Sequence, residues 1–178
     1  MIPELGHFLL WLALGVSAVL GTVPLVGAGR NRADWMALAR PSAAILFALC
    51  AVSFVCLALA FVGNDFSVLY VATNSNSSLP THYRFAAVWG GHEGSMLLWT
   101  LMLAFWTVAV ARFSAHLPDP VIARILAVMG WLTFGFLLFM LVTSNPFDRL
   151  VPTPADGRDL NPLLQDPGMV IHPPMLYM

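Results

Sequence analysis

Four stretches of the chain run without a charged side chain: Leu5 to Gly29, Pro41 to Asn64, Gly94 to Ala111 and Ile125 to Phe147. Crossing the hydrocarbon of a bilayer takes about 20 apolar residues in a helix, within a range of roughly 17–25. The third stretch only reaches the lower limit. It becomes comfortable if its helix begins near Ala86 and takes in the pair His92-Glu93. Lipid offers no partner for open backbone groups, so each stretch is expected to be helical. The expected spans are 5–28, 41–63, 88–111 and 125–146. A further helix is expected to start at 173.

The connections fall into two kinds. Loops 30–40 and 112–124 are short. Segments 64–87 and 147–172 are longer and read differently: "ATNSNSSLPTHYR" is a polar, turn-forming run, and "NPFDRLVPTPADGRDLNPLLQDPGMVIH" is rich in proline. Proline fixes its own backbone and pushes its predecessor to extended geometry. These residues therefore read as an ordered, irregular cap rather than a loose linker, and long structureless loops often carry function. The first span does not read as a cleaved leader, because Glu4 precedes it, no basic residue does, and its apolar run is too long.

Composition agrees with the pattern. The chain is 59% hydrophobic and 10% charged, with a mean hydropathy of +0.80, against about 25% charged residues in a soluble domain. Net charge is −1, so nothing suggests a nucleic-acid surface. All eight cations are arginine. Three lie in loop 30–40 and two in loop 112–124. The opposite side carries Arg84, Arg149 and Arg158 together with Asp65, Glu93, Asp148, Asp156, Asp159 and Asp166. By the positive-inside tendency, segments 64–87 and 147–172 face away from the cytoplasm.

Candidate chemistry is sparse. Cys50 and Cys56 sit six apart in the second span and point about 120° away from each other on a helix. No CxxC, CxxCH or zinc spacing occurs. His7, His82 and His116 read as interfacial decoration. His92 and Glu93 open the third span in "VWGGHEGSMLLW". On a helix from Ala86, Trp89, His92, Met96 and Trp99 share one face while Glu93 turns toward Arg84 or the membrane surface. Three readings stay open for the pair: a structural collar, a cofactor contact or a proton relay. Gly90 and Gly91 permit close backbone approach or a break.

His172 stands before Pro173 and Pro174 in "IHPPMLYM". Proline is favoured at the first position of a helix, so His172 is expected to be the cap of the helix that follows. The partial positive charge of a helix N-terminus disfavours imidazolium, and the neutral ring is the metal-binding form. The structural reading is a cap; the functional one is an axial ligand to haem iron.

"YVATNSNSSLPTHYRFAAVWGGHEGSMLLW" and "TSNPFDRLVPTPADGRDLNPLLQDPGMVIHPPMLYM" resemble the N-terminal part of the CcmF-type cytochrome c haem lyases, and the resemblance extends over the whole chain. It implies an all-α integral membrane protein: four transmembrane helices with an irregular periplasmic cap, part of a larger helical bundle in the bacterial inner membrane. It implies cytochrome c maturation, in which haem is joined to the thiols of a CxxCH motif. Implied partners are the haem chaperone CcmE, CcmH/CcmI-type proteins that present the apocytochrome c, the remaining lyase segments, and membrane lipid. Of the family's haem-iron histidines, only one position matches, His172. The tryptophan-rich haem cradle, its second histidine and the b-type haem site have no counterpart, so the chain resembles a fragment, truncated frame or split-gene product and is not expected to catalyse alone. The resemblance gives "WGGHEGS" no iron; it reads as a helix-opening element shaping the outer face. A non-catalytic assembly subunit and a transporter subunit are the alternatives, although the span centres lack the ionisable residues a transporter would place there.

Overall fold

A computed structural model describes residues 1–178, the side chain of Leu163 excepted. Its regular structure is helical: α1 (Ile2–Gly29), α2 (Ala33–Met36), α3 (Ala39–Val62), α4 (Leu69–Asn74), α5 (Thr81–Ala87), α6 (His92–Phe113), α7 (Asp119–Thr143), a 3-10 turn (Pro162–Gln165) and α8 (Pro167–Tyr177). The all-α expectation holds. Four helices are long and apolar enough to cross a membrane: α1, α2–α3 taken together, α6 and α7. Extended pairing among the described residues is confined to one isolated bridge, Val68 with Arg149.

Local chemistry explains the ends. Asn31 and Asn64 follow α1 and α3 in the left-handed region, with φ of 54° and 53°. Asparagine tolerates that conformation, and it lets the next amide reach back five residues. Arg32 N–H bonds the Gly27 carbonyl at 2.9 Å, and Asp65 N–H the Ala60 carbonyl at 2.9 Å. Pro120 lies in the first turn of α7, where its missing N–H costs nothing.

Two expectations about helix starts are corrected. The third span does not begin near Ala86 or at 88. α5 stops at Ala87, residues 88–91 form a turn, and α6 starts at His92. The last helix does not start at 173. Asp166 caps it six residues earlier, its carboxylate accepting from Gly168 and Met169 N–H at 2.8 and 3.3 Å, with Pro167 in the first position. The Asp-Pro pair is the stronger start signal, and it outweighs Pro173-Pro174.

The chain divides into two compact units. Residues 9–51 and 100–139 form one. Its core is helix on helix, with Leu10, Leu20, Leu46, Leu126 and Leu137 fully buried. Close approach needs small residues: a β-carbon on Gly130 would lie 2.8 Å from the Gly21 nitrogen, and one on Gly21 would lie 2.8 Å from the Trp131 ring. The buried hydroxyls of Ser17, Thr107 and Thr133 bond carbonyls of their own helices, Ser17 to Leu14 and Thr107 to Leu103 at 2.7 Å, and Thr133 to Met129 at 2.8 Å. Residues 1–8, 52–99 and 140–178 form the other unit, around Leu57, Phe61, Val68, Val71, Leu97 and Leu160. Five arginines and two carboxylates belong to the first unit; three arginines and seven carboxylates belong to the second.

Candidate functional site

The second unit brings the two long unusual strings of the sequence together. Segment 64–80 is stitched to segment 145–159. Leu69 N–H bonds Asp148 O, Leu150 N–H bonds Ser67 O, and Arg158 N–H bonds Ala72 O, each at 2.8 Å. Asp156 accepts from the Ser77 hydroxyl at 2.5 Å and from the Ser77 amide at 2.9 Å. Those bonds, with the Gly157 amide, hold the Asp156 carboxyl below the usual carboxylate value. Asn76 bonds Asp159. Arg149 joins Glu4, Asp65 and the Ser67 hydroxyl. The two segments expected to be ordered and irregular are held together by these bonds, and α4 and α5 add two short helices to them.

The turn "VWGGHEG" is built around Tyr70, which the sequence alone did not single out. Its side chain is buried, and burial pushes its phenol well above the usual value. The Tyr70 hydroxyl donates to Val88 O at 3.0 Å and accepts from Gly91 N–H at 2.9 Å. The glycines make room for it. A β-carbon on Gly91 would lie 2.7 Å from the Tyr70 ring, and one on Gly94 would run into the Val88 carbonyl and lie 2.7 Å from the Tyr70 hydroxyl. Ser95 Oγ donates to Trp89 O at 2.8 Å. The turn's polar groups thus find partners away from a helical ladder, as a buried turn requires.

His92 and Glu93 open α6 at this turn. His92 Nδ1 lies 2.8 Å from Ser144 Oγ, just past the end of α7. Glu93 lines a cleft of about 330 Å³ with Tyr70, Thr73, Ser144, Asn145 and Asp148. Of its two expected directions, toward Arg84 or the membrane surface, the first is not found. Arg84 instead donates to the carbonyls of Leu79 at 2.6 Å, Ser77 at 2.8 Å and Val62 at 3.4 Å, and no ion pair joins it to Glu93 among the described residues. The proposed shared face is also revised. Trp89 lies outside α6, and Trp99 is exposed.

His172 sits in the middle of α8, not at its cap, so the helix-terminus argument for a neutral ring does not apply. It is exposed, beside the exposed apolar side chains of Met169, Ile171, Met175 and Leu176. Two contacts fix α8. Trp89 Nε1 donates to Val170 O at 2.9 Å, and Tyr177 stacks on Trp99 with ring centres 5.8 Å apart and planes 16° apart. A cleft of about 300 Å³ opens beside it, lined by His82, Tyr83, Ala86, Pro167, Val170 and Ile171. Neither this cleft nor any group of three metal-binding side chains among the described residues makes a closed metal centre. An exposed imidazole with apolar flanks has the chemistry to bond a metal carried in a flat apolar group. His7 lies in α1, His116 is exposed between α6 and α7, and His82 is exposed with its ring 4.2 Å from that of Tyr83. Cys50 and Cys56 are free thiols, both buried.

A family model described as Cytochrome C assembly protein matches residues 89–178, from the Trp89 turn to the end of α8. The chain belongs to this cytochrome c assembly family. The Cytochrome c-type biogenesis protein CcmF of Pseudomonas aeruginosa is 61% identical over 179 residues, covering 100% of this chain and 27% of that protein. CcmF of Escherichia coli is 56% identical, covering 100% of this chain and 28% of its own. A solved structure, "Cytochrome c Heme Lyase CcmF", superposes with a TM-score of 0.83 at 24% identity, over 99% of this chain and 28% of that one, and shares the fold. The chain therefore spans little more than a quarter of the relatives it matches. This family member carries four helices long and apolar enough to cross a membrane.

Proposed function

We propose that this chain forms part of the haem-handling face of a cytochrome c haem lyase, with His172 as one axial ligand to haem iron. The carrying observation is the presentation of His172: an exposed imidazole, amid exposed apolar side chains, on a helix held at two points by Trp89 and Trp99. Haem, when bound, supplies the vinyl groups that the substrate's CxxCH thiols join, so the chain needs no thiol of its own at this face. Its residues position and orient, which is what a lyase must do for two partners that carry the reacting groups themselves. His92 and Glu93 serve the architecture of the turn. The arginine excess of loops 30–40 and 112–124 supports a topology in which segments 64–87 and 147–172 face the periplasm of the inner membrane. A CcmE-type chaperone delivers haem to this face, and CcmH/CcmI-type proteins bring the apocytochrome c. Further membrane segments, completing the bundle, supply the second ligand and the haem cradle.

Two measurements test the reading. A thiol reagent added from outside should modify a cysteine placed at Ser77 and spare one placed at Ala33; the reverse pattern refutes the orientation. In a complete lyase, His172→Gly should lower cytochrome c yield steeply, and added imidazole should restore part of it by occupying the vacated place. Unchanged yield and unchanged haem absorption in that variant would remove the ligand assignment.

A further inference from the structure

We propose that Trp89 is a positioning residue for His172, acting through a carbonyl that Pro174 leaves open. The inference rests on the reading of His172 as an axial ligand. In an α-helix the N–H of residue 174 bonds the C=O of residue 170. Pro174 has no N–H, so inside α8 the Val170 carbonyl loses its helical partner. Trp89 Nε1 fills that place at 2.9 Å. Val170 and Pro174 lie two residues either side of His172, so the indole holds α8 at the turn that carries the imidazole. Tyr177, stacked on Trp99, holds the other end of the helix. The histidine is thereby set on a locally weakened helix whose course is fixed from outside by the "WGGHEGS" turn, which Tyr70 in turn supports from within.

Pairing Trp89 with Pro174 makes the claim separable from a general packing role. If the indole N–H matters because proline leaves the carbonyl open, then restoring the amide at 174 should make the indole dispensable. A complete lyase would be prepared as wild type, His172→Gly, Trp89→Phe, Pro174→Ala and the Trp89→Phe/Pro174→Ala double variant. The fraction of bound haem with the signature of imidazole on both faces of the iron would be read by absorption and electron paramagnetic resonance, per molecule of lyase. His172→Gly should lose the signature. Trp89→Phe should lower it at least about fivefold, the consequence of one carbonyl left without a partner. Pro174→Ala alone should keep it, and the double variant should return toward wild type. A Trp89→Phe signature equal to wild type, with His172→Gly altered, overturns the inference and leaves the ligand assignment standing. So does a Trp89→Phe loss that Pro174→Ala does not relieve. An unaltered His172→Gly signature overturns the ligand assignment and the inference with it. If Trp89→Phe does not accumulate, the double variant alone decides: a wild-type signature supports the inference, and a lost one overturns it.

Discussion

In the arginine-bearing unit, helices meet through glycine and buried leucine, and every hydroxyl named there bonds its own helix. In the carboxylate-rich unit, chain segments far apart in sequence meet through amides, carboxylates and one phenol. The difference is one of replaceability. A hydroxyl that bonds a carbonyl already engaged in its helix can be lost with little consequence. A phenol that is the partner of both a turn amide and a turn carbonyl cannot. Polar substitutions should therefore be tolerated unequally in the two units.

The largest contrast is expected at glycine. Gly94→Ala drives a methyl group into the Val88 carbonyl and should destabilise by about 3 kcal/mol, the upper part of the range for overpacking. Gly15→Ala meets nothing within 4 Å in α1 and should be stabilising by about 0.5–1 kcal/mol. Thermal unfolding in detergent would measure both, and equal effects would erase the contrast. Next comes Tyr70→Phe, which leaves Gly91 N–H and Val88 O without their partner and should cost about 2 kcal/mol. Its counterpart, Thr133→Val, should cost less than about 1 kcal/mol. A costlier Thr133→Val than Tyr70→Phe would refute the distinction drawn between the units. The smallest effect concerns acid. Asp156 has its folded value depressed by Ser77 and Gly157, so its contribution is present above the ordinary carboxylate value near 3.8 and is lost as pH falls below it. Protection of the Ser77 and Gly157 amides against hydrogen exchange should fall as pH drops below about 3.8 while that of the arginine-bearing unit is unchanged. Equal protection at pH 3 and pH 6 would show that the carboxylate does not pin the segment.

The two units were also unequally legible. An uncharged run of sufficient length has one stable solution in lipid, so four long apolar helices could be read directly. The ordered nature of the cap showed in its prolines and turn residues. Its geometry did not, because hydrogen bonds such as Ser77 to Asp156 span 79 positions and leave no local trace. Tyr70 gave no signal, since "LYVATN" reads as an ordinary apolar turn of helix. The start of α8 was legible in "QDPGM", where an aspartate precedes a proline, but Pro173-Pro174 offered a rival start. The break at Gly90-Gly91 was open in the sequence. What decided it was Tyr70, whose hydroxyl takes the place that a continuing helix would need.

The discontinuity of the carboxylate-rich unit also sets an order in time. The arginine-bearing unit draws on residues up to Phe139, whereas the other cannot close until chain beyond Met140 has been made. Glu4 must wait for Arg149, 145 residues later. At about 5–20 residues per second, that wait is on the order of ten seconds. During it Glu4 and Asp65 stand without Arg149. The arginine-bearing unit thus has all its chain first, and the carboxylate-rich unit is the last to be finished.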